Sequence, residues 1–572
     1  MKIRVRIFLI TFIFAYMLLA GRLFYWQIIK GKELSSEARG QYQTDYEIIA
    51  SRGEIMAEGY SWLTASVRAW RVYADIPNLR DDTDIMAEKL APLFIEDKND
   101  RKALLVEIDR LKRLLNKDDV VWVPLKERVN SDIKNEIENF EFNGIGFEEQ
   151  QMRTYPEGSV SAQLLGFVGK DDSGEDVGYF GLEGYYNLVL TGKPGFLSRE
   201  SDASGLPIML GNSTEIDAVQ GVNLLTHIDK SIQIAAEEKL AKGIKKYDAS
   251  AGTVIVMDPE NGAVKAMVSF PSFDPREYYE YSNELFLNPA ISSTFEPGSV
   301  FKVLVMASAL DAGVVEPETE CDICTGPVRI GKYSIETWNN QYFPNSTMTD
   351  VIIHSDNVGM VFTAQQLGAD KLYDYLDKFG IGRLTDIDLQ GEVTPSLRDK
   401  KNWSEIDLAT ISFGQGVAVT PVQMIRAVCA IANDGYLVKP QVVDKLVKDG
   451  WSRDIKPEIG ERVISEKTAK EITAMMVEAA KNGESKWTYR RGFGVAGKTG
   501  TAQIPIAGHY DEEKTIASFV GFAPYNDPKF VMLVTLKEPT SSPWASETAA
   551  PLWYDIAEDM FYHYGIQPTK EP

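Results

Sequence analysis

Histidine and cysteine are scarce in this chain. Among 572 residues there are four histidines and three cysteines. His227, His354, His509 and His563 are dispersed, with no H-E-x-x-H or similar ligand spacing, which argues against a metallohydrolase. Cys321, Cys324 and Cys429 are too few for a disulfide framework. Two thiols without further ligands are also too few for a structural zinc site. Cys321-Asp322-Ile323-Cys324 reads equally well as a small local disulfide or as two ordinary loop thiols. A basic surplus is missing too. The net charge of −23 argues against a nucleic-acid partner, because that polyanion is held by clustered Lys and Arg. There are no repeats and no low-complexity tracts. With 44% hydrophobic and 25% charged residues the composition is that of a globular protein long enough for two or more domains.

Long apolar runs are absent from most of the sequence, with one exception. Lys2, Arg4 and Arg6 precede the apolar run from Ile7 to Gly21, which resumes after Arg22 as Leu23-Phe24-Tyr25-Trp26. From Val5 to Trp26, with Arg22 snorkelling near the end, this stretch is long enough to span a bilayer. Tyr25 and Trp26 would then sit at the interface. The competing reading is a cleaved signal peptide, but Leu18-Leu19-Ala20-Gly21 followed by Arg22 makes a poor cleavage site. The favoured expectation is an uncleaved anchor. Its basic tail stays in the cytoplasm and the bulk of the chain lies outside.

Further along, Tyr46 to Ala50 and Ala65 to Tyr73 read as strands, separated by a turn at Ser51 to Glu54. Residues 83–115 and 131–140 carry helical apolar periodicity. Residues 153–195 suggest strands and loops, and Asp202 to Gln220 a polar hairpin region. From Ile228 the texture changes. A helix is predicted over 231–245, then two strands, 252–257 and 263–268, joined by the turn 258–262. A helical middle follows from Ser299 to about Ala432. The last third reads as strands around 494–498, 516–522 and 530–536, closed by a helix near 548–561. Gln567 to Pro572 reads as a frayed tail. Sheet at both ends with helices inserted between implies an α+β fold in which a sheet lobe and a helical lobe meet at a cleft.

The chemistry gathers around Phe295-Glu296-Pro297-Gly298-Ser299-Val300-Phe301-Lys302. Pro and Gly mark a boundary, and good helix formers follow. Ser299 should therefore sit on the first turn of a helix with Lys302 one turn along the same face. There an amine is within reach of a hydroxyl, and free backbone N–H groups at the helix start can stabilise an oxyanion. Alone, Ser-x-x-Lys is a weak signal. Two further elements follow in order, Ser355-Asp356-Asn357 and Lys498-Thr499-Gly500-Thr501. The set S-x-x-K, S-D-N and K-T-G belongs to penicillin-binding proteins and class A β-lactamases.

Over nearly its whole length the chain resembles a class B penicillin-binding protein, a monofunctional peptidoglycan D,D-transpeptidase. Arg52-Gly53-Glu54-Ile55 is similar to the family's R-G-x-I segment, although Met56-Ala57-Glu58-Gly59 replaces the usual D-R-N-G. Arg153-Thr154-Tyr155-Pro156-Glu157-Gly158, Leu165-Gly166-Phe167-Val168-Gly169 and Gly181-Leu182-Glu183 also resemble family patterns. So do Asp274-Pro275, Gly414-Gln415-Gly416 with Thr420-Pro421 and Gln423, and Ser518 to Phe522. The short opening of the pedestal resembles the septal, division type more than the elongation type.

This resemblance implies a cytoplasmic tail at 1–6, a single transmembrane helix at 7–29 and a mixed α/β pedestal at 30–225. A transpeptidase domain of β-lactamase-like fold would occupy 226–566, with a five-stranded antiparallel sheet lobe and a helical lobe, before a tail at 567–572. It implies acyl transfer through a Ser299 ester, with Lys302 as base, its pKa lowered by burial and by Lys498. Ser355 would relay a proton to the departing D-alanine, and Asn357 would bond substrate and orient Lys302. Lys498, Thr499 and Thr501 would hold the terminal carboxylate, and Gly500 would leave room for substrate to add to the sheet. The backbone N–H groups of Ser299 and Thr501 would form the oxyanion hole. No metal or cofactor is expected. The implied partners are peptidoglycan stem peptides, β-lactams as inhibitors, the membrane, a membrane glycan polymerase and other cell-wall synthesis proteins. Two alternatives are a D,D-carboxypeptidase or β-lactamase, and a membrane-anchored sensor or division scaffold acylated without turnover.

Overall fold

The structure is a computed structural model that describes residues 2–35, 43–95, 97–200, 208, 213–506 and 509–569. The chain begins with α1 (Lys2–Phe24), continued by one wider turn over Tyr25–Ile29. The 28 residues of this helix, Lys2–Ile29, are long and apolar enough to cross a membrane. At 1.5 Å per residue they reach roughly 40 Å, more than a bilayer's hydrocarbon thickness.

Next come β1 (Gln43–Ile48), β2 (Ile55–Met56) and the long β3 (Trp62–Asp75). Helices α2 (Thr83–Phe94) and α3 (Arg101–Leu115) start on Asp82 and Asp100, whose carboxylates accept from the first free backbone N–H groups. Strands β4 (Trp122–Val129) and β5 (Ile145–Thr154), which flank α4 (Ser131–Glu138), both pair with β3. Then follow β6 (Gly195–Glu200), β7 (Ser213–Ile216) and β8 (Asn223–Thr226). β8 runs parallel to β2, pairing Leu224 with Ile55 and Leu225 with Met56. Its other edge takes a strand from much later in the chain, β11 (Val443–Lys448), which in turn carries β12 (Trp451–Asp454). The pedestal sheet therefore runs β12-β11-β8-β2-β3-β4, and it is a continuous hydrogen-bonded layer built from both halves of the protein.

Three segments that resemble family patterns in sequence converge here. Glu183 is fully buried between Arg52 and Arg153, accepting from their Nε atoms at 2.6 and 2.7 Å. A carboxylate buried between two guanidinium groups is hard to remove, because each is then left as an uncompensated buried charge. Glu183→Ala is expected to destabilise the fold by about 3–5 kcal/mol, read as a lower denaturation midpoint in urea.

The second half holds a five-stranded antiparallel sheet. Helix α5 (Lys230–Tyr247) precedes β9 (Ala251–Met257) and β10 (Val264–Phe270). After the helical middle come β13 (Ala496–Ile506), β14 (His509–Ala523), β15 (Phe530–Lys537) and the closing helix α11 (Ala549–His563). The sheet order is β10-β9-β15-β14-β13, so β13 is an edge. Central strands are covered on both faces, which is why they read as unbroken apolar runs. Val254, Val256, Met532 and Val534 pack with α5 and α11 around Trp553. Ile255, Met257, Val531 and Leu533 face the helical lobe. Fully burying each such side chain is worth about 1.5–3 kcal/mol.

The helical lobe contains α6 (Lys302–Asp311), α7 (Met348–Ile353), α8 (Asn357–Leu367), α9 (Pro421–Ala432) and α10 (Glu466–Asn482). α10 lies between the helical middle and the first strand of the last third, where no element is predicted from the sequence. Its buried Ala469, Ile472, Met476 and Ala479 recur at helical spacing behind the N-cap Ser465, so the helix pattern is present there. Within 153–195 the structure adds helices at Ala162–Leu165, Gly181–Tyr185 and Asn187–Leu190, each too short for periodicity to register. The polar hairpin read over 202–220 is visible only as β7 pairing with β6, because 202–207 and 209–212 lie outside the described residues. The described part of the tail is not frayed. Thr569 N and Oγ1 both donate to Gly492 O, at 2.8 and 3.1 Å, while 570–572 lie outside the described residues. Cys321 and Cys324 are joined in a disulfide and fully buried, and Cys429 is a buried free thiol.

Candidate active site

Ser299 lies on a tight 3-10 turn, Gly298–Phe301, that runs directly into α6. With three residues per turn, side chains at i and i+3 eclipse, so Ser299 and Lys302 project to the same side. The turn is clamped from behind. Gly298 N donates to Gly414 O at 3.0 Å, and Phe295 and Val419 exchange two backbone bonds of 2.9 Å. Gly414 has φ +79°, and a Cβ there would come within 2.1 Å of Gly298 O. This position therefore admits only glycine, both for its conformation and for the close backbone approach.

α6 is buried from Lys302 to Leu310, and Lys302 itself is 0% exposed. Its Nζ donates to Ser355 O at 2.6 Å and Asn357 Oδ1 at 2.7 Å, with Ser355 Oγ at 3.3 Å. Ser355 sits in the left-handed region, φ +55°, at the corner between α7 and α8. Asp356 caps α8, accepting from Val358 N and Gly359 N. The Ser-Asp-Asn element is thus a helix cap and a polar corner at once. Asn357 Nδ2 donates to Glu336 O at 3.0 Å, which fixes the amide so that its oxygen faces Lys302.

The third element arrives on the sheet edge. Lys498 is 3% exposed. Its Nζ donates to Ser355 Oγ at 3.0 Å and to Thr499 O and Oγ1 at 3.1 and 3.3 Å. One hydroxyl therefore lies between two lysine side chains from opposite lobes. Burial pushes the Lys302 amine down to about 7, helped by the charge of Lys498 and opposed by Asp356 and Glu484. Burial also lowers Lys498, and Glu484 pulls it back up.

Ser299, Ser355, Asn357, Thr499 and Thr501 line one narrow groove of about 90 Å³, with Lys302 and Lys498 buried beneath. Gly500 lies where β13 passes the nucleophile turn, and a Cβ there would come within 2.9 Å of Val300 Cγ1 and 3.0 Å of Val300 N. All eight residues singled out from the sequence are thus brought together. The hydroxyls of Thr499 and Thr501 differ, however. Thr499 Oγ1 donates to Glu484 Oε2 at 3.2 Å, whereas Thr501 Oγ1 accepts from Ala545 N at 3.0 Å.

The groove also holds residues that no motif announces. Trp338 from the helical lobe and Trp544 from the sheet lobe meet across it, ring centroids 5.1 Å apart. Glu484, just beyond α10, forms part of its wall. A larger hollow of about 620 Å³ opens at the far end of the sheet, around Asn433, Lys470 and Tyr525. Its amine, Lys470, is bonded to Glu466, and none of the three sequence elements lines it, so the chemistry is assigned to the smaller groove. Among the described residues, no three His, Cys, Asp or Glu side chains are grouped so as to hold a metal ion.

Two family descriptions match the chain. Residues 252–558 match the penicillin binding protein transpeptidase domain and residues 47–226 the penicillin-binding protein dimerisation domain. The chain is 29% identical to Stage V sporulation protein D of Bacillus subtilis, over 98% of this chain and 85% of that one. It is 30% identical to the probable peptidoglycan D,D-transpeptidase PenA of Neisseria gonorrhoeae, covering 81% and 78%. It is 29% identical to the peptidoglycan D,D-transpeptidase FtsI of Escherichia coli, covering 96% and 90%. Penicillin binding protein 2X from Streptococcus thermophilus shares the fold, with TM-score 0.75 at 22% identity over 91% of this chain and 80% of that one. With its serine, its two lysines and its dimerisation and transpeptidase regions accounted for, this chain belongs to the penicillin-binding protein transpeptidases.

Proposed function

We propose that the protein is a peptidoglycan D,D-transpeptidase that cross-links stem peptides through an ester on Ser299. The observation that carries this reading is the shared Ser355 hydroxyl, bonded to Lys498 and close to Lys302 beneath the Ser299 groove.

In the first half-reaction Ser299 Oγ attacks the carbonyl carbon between the two terminal D-alanines, and its proton passes to neutral Lys302 Nζ. The tetrahedral oxyanion is held by the backbone N–H groups of Ser299 and Thr501. The C–N bond then breaks, and the leaving amine takes a proton through Ser355 Oγ. Asn357 holds Lys302 in place throughout. In the second half-reaction an amine from a neighbouring stem peptide attacks the ester, loses its proton by the same route and releases Ser299. Lys498 and Thr501 receive the substrate's terminal carboxylate, and the free edge of β13, kept slim by Gly500, receives its backbone as an added strand. A β-lactam enters the same path, but its opened ring stays attached and blocks the second step.

We assign residues 7–29 as a single-pass bacterial membrane anchor with its basic tail in the cytoplasm, 30–225 as the pedestal and 226–566 as the transpeptidase domain. We also place the protein with the division type and beside a membrane glycan polymerase that supplies its nascent strand. To test the reaction, the protein is incubated with lipid-linked precursor and a glycan polymerase. Dimeric stem peptides are the expected product. Shortened monomers alone would show carboxypeptidation, and unprocessed peptides would show a scaffold or sensor.

A further inference from the structure

Two buried lysines share one hydroxyl in this site, and the acyl-transfer reading needs them in different states. Lys302 must be neutral to take a proton, and Lys498 must be charged to draw a carboxylate. Both are buried, so desolvation alone does not separate them. The hydrogen-bond directions do. Lys498 Nζ has three acceptors, Ser355 Oγ, Thr499 O and Thr499 Oγ1, at 3.0, 3.1 and 3.3 Å. Three acceptors need three protons, which only the ammonium form has. Lys302 also has three contacts, but only two are short, to Ser355 O and Asn357 Oδ1 at 2.6 and 2.7 Å, and a neutral amine has the two protons these need. At the third, 3.3 Å to Ser355 Oγ, the hydroxyl that already accepts from Lys498 has its own proton to donate to the amine's lone pair.

What makes Thr499 Oγ1 an acceptor for Lys498 is its neighbour. A threonine hydroxyl has one proton, and here it goes to Glu484 Oε2 at 3.2 Å. The oxygen's lone pairs are thereby turned to Lys498. Glu484 is well placed to act this way, because its segment is fixed. Gly483 closes α10 through its N–H to Ala479 O, and a Cβ on it would come within 2.9 Å of Ile353 O, at the end of α7 beside Ser355. Ser485 O accepts from Thr488 N and Thr488 Oγ1 at 2.9 and 2.7 Å, which locks the turn that follows.

We propose that Glu484 is a positioning residue that divides the charge between the two lysines, acting through the Thr499 hydroxyl to hold Lys498 as the cation and leave Lys302 as the base. This rests on the acyl-transfer reading above. It also gives the two threonines different duties. Thr499 spends its proton on Glu484, so the substrate carboxylate meets Lys498 and the Thr501 hydroxyl. The oxygen of Thr501 already accepts from Ala545 N, and its proton remains to be donated.

The charged groups that Glu484 acts on are Lys498 on β13 and Lys302 on α6, and Asp356 at the start of α8 acts on Lys302 as well. On its own segment Lys486 is exposed. The loops around the groove add Glu296, Glu336 and Glu547, whose carboxylates accept from Gly416 N, Ser334 Oγ and Ser542 Oγ. Of these groups Glu484 is the one that reaches Lys498 through a shared hydroxyl. Its negative charge favours the protonated form of both lysines, and of Lys498 more strongly because it is nearer along the network.

The test is the pH dependence of acylation by a fluorescent penicillin in the full-length protein and in Glu484→Gln. Glutamine can still accept the Thr499 proton, so the variant removes charge and keeps geometry. The variant's profile is expected to move down by about one pH unit, with the alkaline limb moving most. Its rate relative to wild type should then fall several-fold between pH 6 and pH 9. Glu484→Asp keeps the charge and should keep the wild-type limbs even where its rate is lower. A merely structural role would scale the rate by one factor at every pH, and that result overturns the proposal. So would a Glu484→Gln protein that acylates normally but no longer releases the penicilloyl group, since Glu484 would then be activating water. Failure of the wild type to label at all would contradict the acyl-transfer reading instead. A thermal melt of each variant identifies loss of fold. If Glu484→Gln does not fold, Thr499→Val, which breaks the relay between Glu484 and Lys498, takes its place, with an alkaline limb moved to lower pH supporting the proposal and unshifted limbs overturning it.

Discussion

Ser299→Ala abolishes covalent labelling by a fluorescent penicillin while leaving the protein folded. The label survives denaturation only as an ester, and the ester needs the Ser299 oxygen. Other parts of an acyl-transfer site can still accelerate attack by water when the nucleophile is gone, but they leave nothing bound to the protein. The loss should therefore be complete rather than partial. The substitution itself is mild. Ser299 is half-buried at the surface of the groove, and alanine is a good helix former at the head of α6. A surface change of this kind moves stability by about 0.5 kcal/mol or less, so the thermal midpoint should hardly change. Labelling that persists in Ser299→Ala would refute the nucleophile assignment.

The second large effect is expected at Lys302. Methionine has a similar length and suits a buried position, but it carries neither proton nor lone pair. Lys302→Met should lower the rate of acylation by about 10²–10⁴-fold, the usual span for losing a general base. The pH profile separates this from a packing defect. The reactive form of Lys302 is the neutral amine, and burial brings its pKa down to about 7. Wild-type acylation should therefore rise as pH increases through about 7, and the variant should lack that rise. Stability gives an independent check with a fixed sign. In the unfolded chain a lysine titrates near 10.4, above its value in the fold. Between about 7 and 10 the unfolded state thus binds more protons, and the stability of wild type relative to Lys302→Met should increase with pH across that window. Melting curves at pH 6.5 and 9.5 measure the difference. A difference that does not change, or that moves the other way, would show that Lys302 is not a buried amine with a depressed pKa.

These expectations show what could be read from the sequence and what could not. The three catalytic elements are short, local and chemically distinctive, and each lies where local rules put it. Pro297 and Gly298 precede the Ser299 turn, Asp356 caps a helix, and Lys498 to Thr501 lie on a strand. Their order and the resemblance together point to convergence. Glu484 carried no such signal, because one glutamate after a helix has no motif and acquires meaning only when β13 brings Thr499 to it. Trp338 and Trp544 likewise become neighbours only across the cleft. The pedestal sheet was least legible. Its partner strands Asn223–Thr226 and Val443–Lys448 are short, and no local pattern says that they will meet over Ile55 and Met56. Helix α10 is different, since its apolar spacing is plain in a stretch where no element is predicted from the sequence.

One bond is central to the proposed reaction, that between the acyl group and the oxygen of Ser299. Peptide mapping by mass spectrometry after penicillin treatment observes it directly. The protein is denatured and digested, and the mass of a ring-opened penicillin is sought on each serine-containing peptide. The added mass is predicted on the peptide that contains Ser299-Val300-Phe301-Lys302. Finding it on Ser355 or elsewhere, or finding no adduct on folded protein, would contradict the account.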